Sequence, residues 1–158
     1  MVDVKSEVKL SKLLKEKYIN LELKQNTKRQ LLVELVDFAA SAAGLKDKRT
    51  LSNAILKRER LGSTGIGGGV AIPHAKSDKI GSFILVFARH NQGLDFGSLD
   101  GEKTYIFFML ASPQAEVGTH LKALSEIARL VKDKFIVEKL KKAKTKKDIL
   151  NIVSIYEK

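Results

Sequence analysis

Histidine is the side chain best suited to exchange protons or attack phosphorus near pH 7, and this chain has three: His74, His90 and His120. His74 lies near the end of residues 61–76, LGSTGIGGGVAIPHAK, where five of the eleven glycines, counting Gly62, fall within eight residues. Pro73 fixes its own φ and holds Ile72 extended, so the histidine is presented on a stiff stem. Glycine permits left-handed backbone, and successive N–H groups in such a turn can converge on one oxyanion. Gly65 and Gly67 stand at the centre of that expected nest, Ser63 and Thr64 add hydroxyl donors, and Arg58 can add a charge-assisted bond. The spacing points to a nucleophilic histidine beside a site for three phosphoryl oxygens.

Other readings of the loop fail on its residues. A nucleotide-binding P-loop needs Lys followed by Ser or Thr after its last glycine, between a strand and a helix. Here Gly69 is followed by Val70 and Ala71, and the expected order is helix, loop, strand. A dinucleotide fingerprint fails on glycine spacing and because no helix opens after the loop. A merely flexible connection is the plain alternative, and the histidine at its far end argues against it. His90, between Arg89 and Asn91 at a strand end, is read as structural or exposed. Glu59 is read as a solvated glutamate at a helix end.

The elements that must position these residues follow from periodicity. Ser11 is expected to cap a short helix, and Ile19, Leu21 and Leu23 alternate as in a strand. Leu31, Leu32, Leu35, Val36 and Ala39 recur at helical spacing from Thr27 until Gly44, a natural stop. A second helix runs from about Asp47 through Leu51, Ala54, Ile55 and Arg58. VAIPHA, SFILVFARH and TYIFFMLAS read as strands, with Pro113 ending the last. Thr119 is expected to cap a helix carrying Leu121, Leu124, Ile127, Ala128 and Val131, which places His120 in its first turn. Asp133 and Thr145, the latter with Asp148 three residues on, mark two further helix starts. The expected fold is one α/β domain over residues 1–158, a three-layer α/β/α sandwich with a mixed sheet of about four or five strands.

Composition bounds the function. A chain of 158 residues with 44% hydrophobic content can bury a real core. Its apolar runs are too short to span a bilayer, and MVDVKSEVKL has no apolar signal core, so no membrane insertion is expected. The lack of cysteine excludes disulfides and thiol chemistry and fits a cytoplasmic location. The net charge of +11 would favour anionic partners. Much of it lies in KDKFIVEKLKKAKTKKD, where lysines alternate with Phe135, Ile136, Val137, Leu140 and Ile149 as on the wet faces of amphipathic helices. Arginine and aromatic residues are not clustered there, so no nucleic-acid site is expected.

RERLGSTGIGGGVAIPHAK resembles the active-site segment of enzyme IIA domains of the bacterial phosphoenolpyruvate-dependent phosphotransferase system (PTS), in the fructose–mannitol class that includes the nitrogen-regulatory IIA proteins. The resemblance rests on Arg58-Glu59, Gly62-Ser63-Thr64-Gly65, Gly67, Ala71, Pro73-His74 and Gly118-Thr119-His120-Leu121, and extends through LDFGSLDGEKTYIFFMLASP. Gly68 departs from it, since relatives commonly have asparagine there. The resemblance implies that His74 is phosphorylated through Nε2, that Arg58 and His120 flank the phosphoryl group, and that Ser63 and Thr64 lie close to it. It implies a phosphohistidine carrier without a bound cofactor or metal, loaded by HPr or its nitrogen-branch equivalent. A chain that ends soon after its last helix fits a stand-alone regulator acting by phosphorylation-dependent partner binding. The alternatives are a sugar-transport subunit passing phosphate to a IIB, and a binding module of the same fold that is not phosphorylated.

Overall fold

The computed structural model describes residues 8–157, so most of the N-terminal stretch read for a signal core lies outside the described residues. In chain order the elements begin with α1 (Leu10–Leu13), β1 (Ile19–Asn20), α2 (Lys28–Ala43) and α3 (Arg49–Arg60). Five strands follow: β2 (Gly65–Gly67), β3 (Val70–Ala71), β4 (His74–Ser77), β5 (Ile84–Leu94) and β6 (Thr104–Pro113). The remainder is α4 (Val117–Lys132), α5 (Lys134–Lys142) and α6 (Lys146–Tyr156).

Over residues 84–88 of β5 and 106–111 of β6 both faces are apolar, as strands covered by helices on each side must be. They pair antiparallel, with Phe87 opposite Phe108. β1 adds parallel to β5 on one side, while β3 and β4 both run parallel to β6 on the other. β3 and β4 keep one register against β6. Val70 faces Ile106 and His74 faces Leu110. Between them Pro73 has no N–H to donate, but its carbonyl accepts from Leu110 N–H at 3.0 Å, so the ladder continues across the break.

Alternation along β6 divides the core in two. Ile106, Phe108 and Leu110 face α1, α4, α5 and α6, whereas Phe107, Met109 and Ala111 face α2 and α3. The expected three-layer α/β/α sandwich with a mixed sheet is therefore present. The described residues hold six strands, more than expected, because the Ile72–Pro73 break divides VAIPHA into β3 and β4 and the glycine run supplies β2. The strand expected from Ile19 to Leu23 pairs with β5 only over Ile19–Asn20, although Leu23 N–H still donates to the Arg89 carbonyl at 2.8 Å.

Thr27, Asp133 and Thr145 cap as their sequences predict, the last with a complete capping box through Asp148. Two expected caps do not form. Ser11 lies inside α1, and the helix's first N–H, from Leu10, is satisfied by the distant Glu157 carboxylate at 2.7 Å. Ser11 Oγ also bonds to that carboxylate. Thr119 is the third residue of α4, which starts at Val117 after a turn closed by Glu116 N–H to the Pro113 carbonyl.

Arg89 is a buried cation that periodicity did not single out. Its guanidinium donates to the carbonyls of Leu140 (3.0 Å), Ala143 (2.7 Å) and Leu21 (3.3 Å). It thus closes the C-terminal end of α5, where a positive charge complements the helix dipole, and ties that helix to the sheet. Arg89→Met is expected to destabilise the fold by about 2–3 kcal/mol, because buried carbonyls lose their donors. Urea denaturation should show a lower midpoint with an unchanged slope, and Arg89→Lys should recover only part of the loss because one ammonium cannot reproduce the fork.

Candidate functional site

His74 is the first residue of β4 and is half-buried. Its Nδ1 lies 2.6 Å from the Ile72 carbonyl oxygen. A carbonyl can only accept, so Nδ1 carries the proton and donates, leaving the lone pair of a neutral imidazole on Nε2. His120 is the fourth residue of α4 and is buried, with 2% of its surface exposed. The two rings lie 5.8 Å apart between centroids and are tilted by 53°. Ser112 Oγ, on β6, sits 2.6 Å from His120 Nδ1. Ser112 pairs in register with Lys76, two residues beyond His74, so one strand ladder sets both His74 and the partner of the second histidine.

His74 and His120 line a cleft of about 340 Å³ together with Lys57, Arg58, Leu61, Lys76 and Gln114. Three cations and two histidines line it, and no carboxylate does. That field favours an anion and disfavours a second positive charge on either ring. Burial holds His74 below the usual histidine range, with Arg58 and Lys76 adding to the effect, against the Ile72 hydrogen bond and Glu59, which favour the proton. His120 is pushed down to about 4, first by burial and then by Lys76 and His74. Both imidazoles are therefore neutral at pH 7. Leu61, which lines the cleft, is 80% exposed.

The structure brings together in this cleft His74, His120 and Arg58, the three residues that the family resemblance groups. The other four predicted residues do not line this cleft. Ser63 Oγ donates to the Phe96 carbonyl at 3.2 Å and accepts from Gly65 N–H at 3.1 Å. Thr64 gives its hydroxyl to Glu59 Oε1 at 2.6 Å and its N–H to Oε2 at 2.8 Å. Gly65 and Gly67 belong to β2, which pairs antiparallel with β3. The glycine run is thus a hairpin whose turn uses positive φ at Gly67, Gly68 and Gly69, rather than an open nest beside His74. Its Gly68 N–H is directed to Asp100 Oδ2 at 2.9 Å.

Three further placements are local, and that of His90 fits its structural reading. Glu59 is buried, not solvated. His90 is buried and bonds through Nε2 to Asn26 Oδ1 at 3.0 Å, apart from the cleft. The buried face of α4 carries His120, Ala123, Ile127, Leu130 and Val131, which leaves Leu121 exposed. Lys57, Lys76 and Gln114 were not singled out from sequence. Lys76 carried a usable signal, since residues two apart on a strand share a face. Lys57 and Gln114 reach the cleft through tertiary placement.

Residues 12–155 match the family model described as "Phosphoenolpyruvate-dependent sugar phosphotransferase system, EIIA 2". A nitrogen regulatory protein of Bradyrhizobium diazoefficiens is 39% identical over 133 residues, 84% of this chain and 86% of that protein. The fructose-specific EIIABC component of the PTS in Bacillus subtilis is 34% identical over 96% of this chain, which spans 24% of that longer protein. The crystal structure of nitrogen regulatory protein IIA-Ntr from Neisseria meningitidis superposes with a TM-score of 0.85 at 27% identity, covering 91% of this chain and 98% of that one.

The depressed His120 pKa gives a signed expectation. In the unfolded chain the ring takes up a proton near its ordinary 6.5, but in the folded protein only near about 4. Its contribution to stability is complete above pH 6.5 and declines as pH falls toward 4, by about 3 kcal/mol at most. Denaturation of wild type and His120→Asn across that interval should show a shallower decline in the variant. A carbon chemical-shift titration should place the His120 midpoint near 4.

Proposed function

Because the chain belongs to the EIIA 2 family of the phosphoenolpyruvate-dependent sugar phosphotransferase system, we propose that it carries a phosphoryl group on Nε2 of His74. The observation that supports this most directly is the hydrogen bond from Nδ1 to the Ile72 carbonyl, which leaves Nε2 as the lone pair in a cation-lined cleft.

In this reading the donor is a phosphohistidine on HPr or its nitrogen-branch equivalent. Nε2 attacks phosphorus in line as the donor's N–P bond breaks, and the donor imidazole keeps that electron pair. The His74 Nδ1 proton stays in place, and the Ile72 carbonyl stabilises the positive charge that develops on the ring. Arg58, Lys57 and Lys76 compensate the charge on the phosphoryl oxygens. His120, being neutral, presents one ring N–H to an equatorial oxygen without repelling the ring of His74. Positioning and charge do the work, with no cofactor in the step.

The regulatory branch is the reading we favour, because a nitrogen regulatory protein matches over most of both chains. The protein would then act in the cytoplasm through partners that distinguish its two phosphorylation states. Transfer to a IIB during sugar uptake is the second reading, supported by the fructose-specific relative. A binding module without phosphoryl transfer is disfavoured by the joint presence of His74, His120 and Arg58 in one cleft.

Intact mass after incubation with phosphoenolpyruvate, enzyme I and each phosphocarrier tests the proposal. One acid-labile phosphoryl group is expected on wild type and none on His74→Ala. His120→Ala should slow loading by about 100-fold, the scale of removing one transition-state donor. Faster loading by the nitrogen-branch carrier supports the regulatory reading, and faster loading by HPr supports the sugar reading. Failure with both carriers removes the phosphoryl-carrier assignment.

A further inference from the structure

Glu59 is the penultimate residue of α3, and its side chain is 5% exposed. A buried carboxylate is costly unless every lone pair finds a partner. Here Oε1 takes the Thr64 hydroxyl at 2.6 Å, and Oε2 takes both the Thr64 N–H at 2.8 Å and Lys28 Nζ at 2.9 Å. Lys28 is itself braced 4.5 Å above the centre of the Phe96 ring, which packs edge-on against Phe107 of β6. The group is far more constrained than a helix-end glutamate has reason to be.

Its bonds lead toward the nucleophile. The Thr64 carbonyl accepts Ile72 N–H at 3.0 Å, and the Ile72 carbonyl accepts His74 Nδ1–H at 2.6 Å. Glu59, Thr64, Ile72 and His74 therefore form a series of hydrogen bonds linking the end of α3 to the strand that bears the imidazole. Arg58, the preceding residue, lines the cleft from the same helix end. Fixing Glu59 thus fixes the end of α3 that carries the arginine against the chain segment that orients the histidine.

We propose that Glu59, held by Lys28, is a positioning residue for phosphorylation of His74: through Thr64 it sets the Ile72 carbonyl that keeps the proton on Nδ1 and the lone pair on Nε2. This rests on the phosphoryl-carrier reading. A purely structural role would change stability alone. The positioning role also requires the His74 tautomer and the turnover to change. Misplacement of a reacting atom by about 1 Å can cost on the order of 100-fold in rate.

The test compares wild type, Glu59→Gln, Lys28→Met and Thr64→Ser, using HPr and the nitrogen-branch carrier as phosphoryl donors. Each protein is measured for thermal midpoint, for kcat and KM toward the carrier, and for the His74 tautomer by long-range nitrogen–proton NMR without phosphate. Glu59→Gln and Lys28→Met are expected to lower kcat by about 10- to 100-fold with KM changed less than about twofold. Both should populate the Nε2–H tautomer, while Thr64→Ser, which keeps the hydroxyl, should retain wild-type behaviour. Wild-type kcat and tautomer in Glu59→Gln would overturn the proposal, even with a lower melting temperature. If Glu59→Gln does not fold, wild-type kcat and tautomer in Lys28→Met would overturn it in the same way. A wild type that no carrier phosphorylates would instead remove the carrier reading, and the tautomer comparison would still decide whether Glu59 orients the ring.

Discussion

The site depends on one strand being hydrogen-bonded along both edges. β6 is apolar on both faces and buried, so water cannot satisfy its backbone N–H and C=O groups. β5 satisfies one edge by antiparallel pairing, and the segment from Val70 to Ser77 satisfies the other by parallel pairing. Because a one-residue slip would turn every side chain of that segment to the opposite face, the register is pinned by the burial of Val70, Ala71 and Ala75. His74 opposite Leu110, and Lys76 opposite Ser112, follow from that register. Ser112 in turn meets His120 from α4, so both histidines are positioned from the same central strand.

The electrostatics of the cleft divide the work between charge and lone pairs. Burial disfavours the protonated form of both histidines, and the nearby cations, Arg58 and Lys76 for His74 and Lys76 for His120, push in the same direction. A neutral ring is what nucleophilic attack requires, so in the phosphoryl-carrier reading the surrounding cations would favour the reactive form of the ring as well as attract the anion. The Ile72 carbonyl opposes this by favouring the protonated ring. Burial outweighs it in the resting state, and in the phosphoryl-carrier reading the same carbonyl would stabilise positive charge that develops on the ring. In that reading a neutral nucleophile and a stabilised product would be compatible in one arrangement.

Where local signals and tertiary structure agree, the fold was legible in the sequence. The two long apolar strands, the caps at Thr27, Asp133 and Thr145, and the stop at Gly44 are set by neighbouring residues and appear as expected. Arg58, His74 and His120, which the family resemblance groups together, line one cleft. Distant partners made the rest illegible. The cap of α1 is a carboxylate from the far end of the chain, so Ser11 has no need to serve. The α4 stripe is rotated because His120 itself takes a buried position, which a hydrophobic pattern cannot assign to an ionisable residue. Arg89 and Glu59 are charged residues that are buried because three carbonyls satisfy the one and Thr64 with Lys28 satisfy the other.

The glycine run shows how a correct composition signal can point to the wrong contact. Left-handed backbone at Gly67, Gly68 and Gly69 lets the chain reverse within a few residues, as a phosphate nest would also require. Here the reversal returns the chain as β3, and the cross-pairing of β2 with β3 consumes groups that a nest would have left free. Asp100 receives the Gly68 N–H, so the anion met by the turn belongs to the protein's own loop. The contribution of the glycines to His74 is therefore indirect. By closing the hairpin tightly they set Thr64 opposite Ile72, where one face of the pair meets Glu59 and the next carbonyl along meets the imidazole.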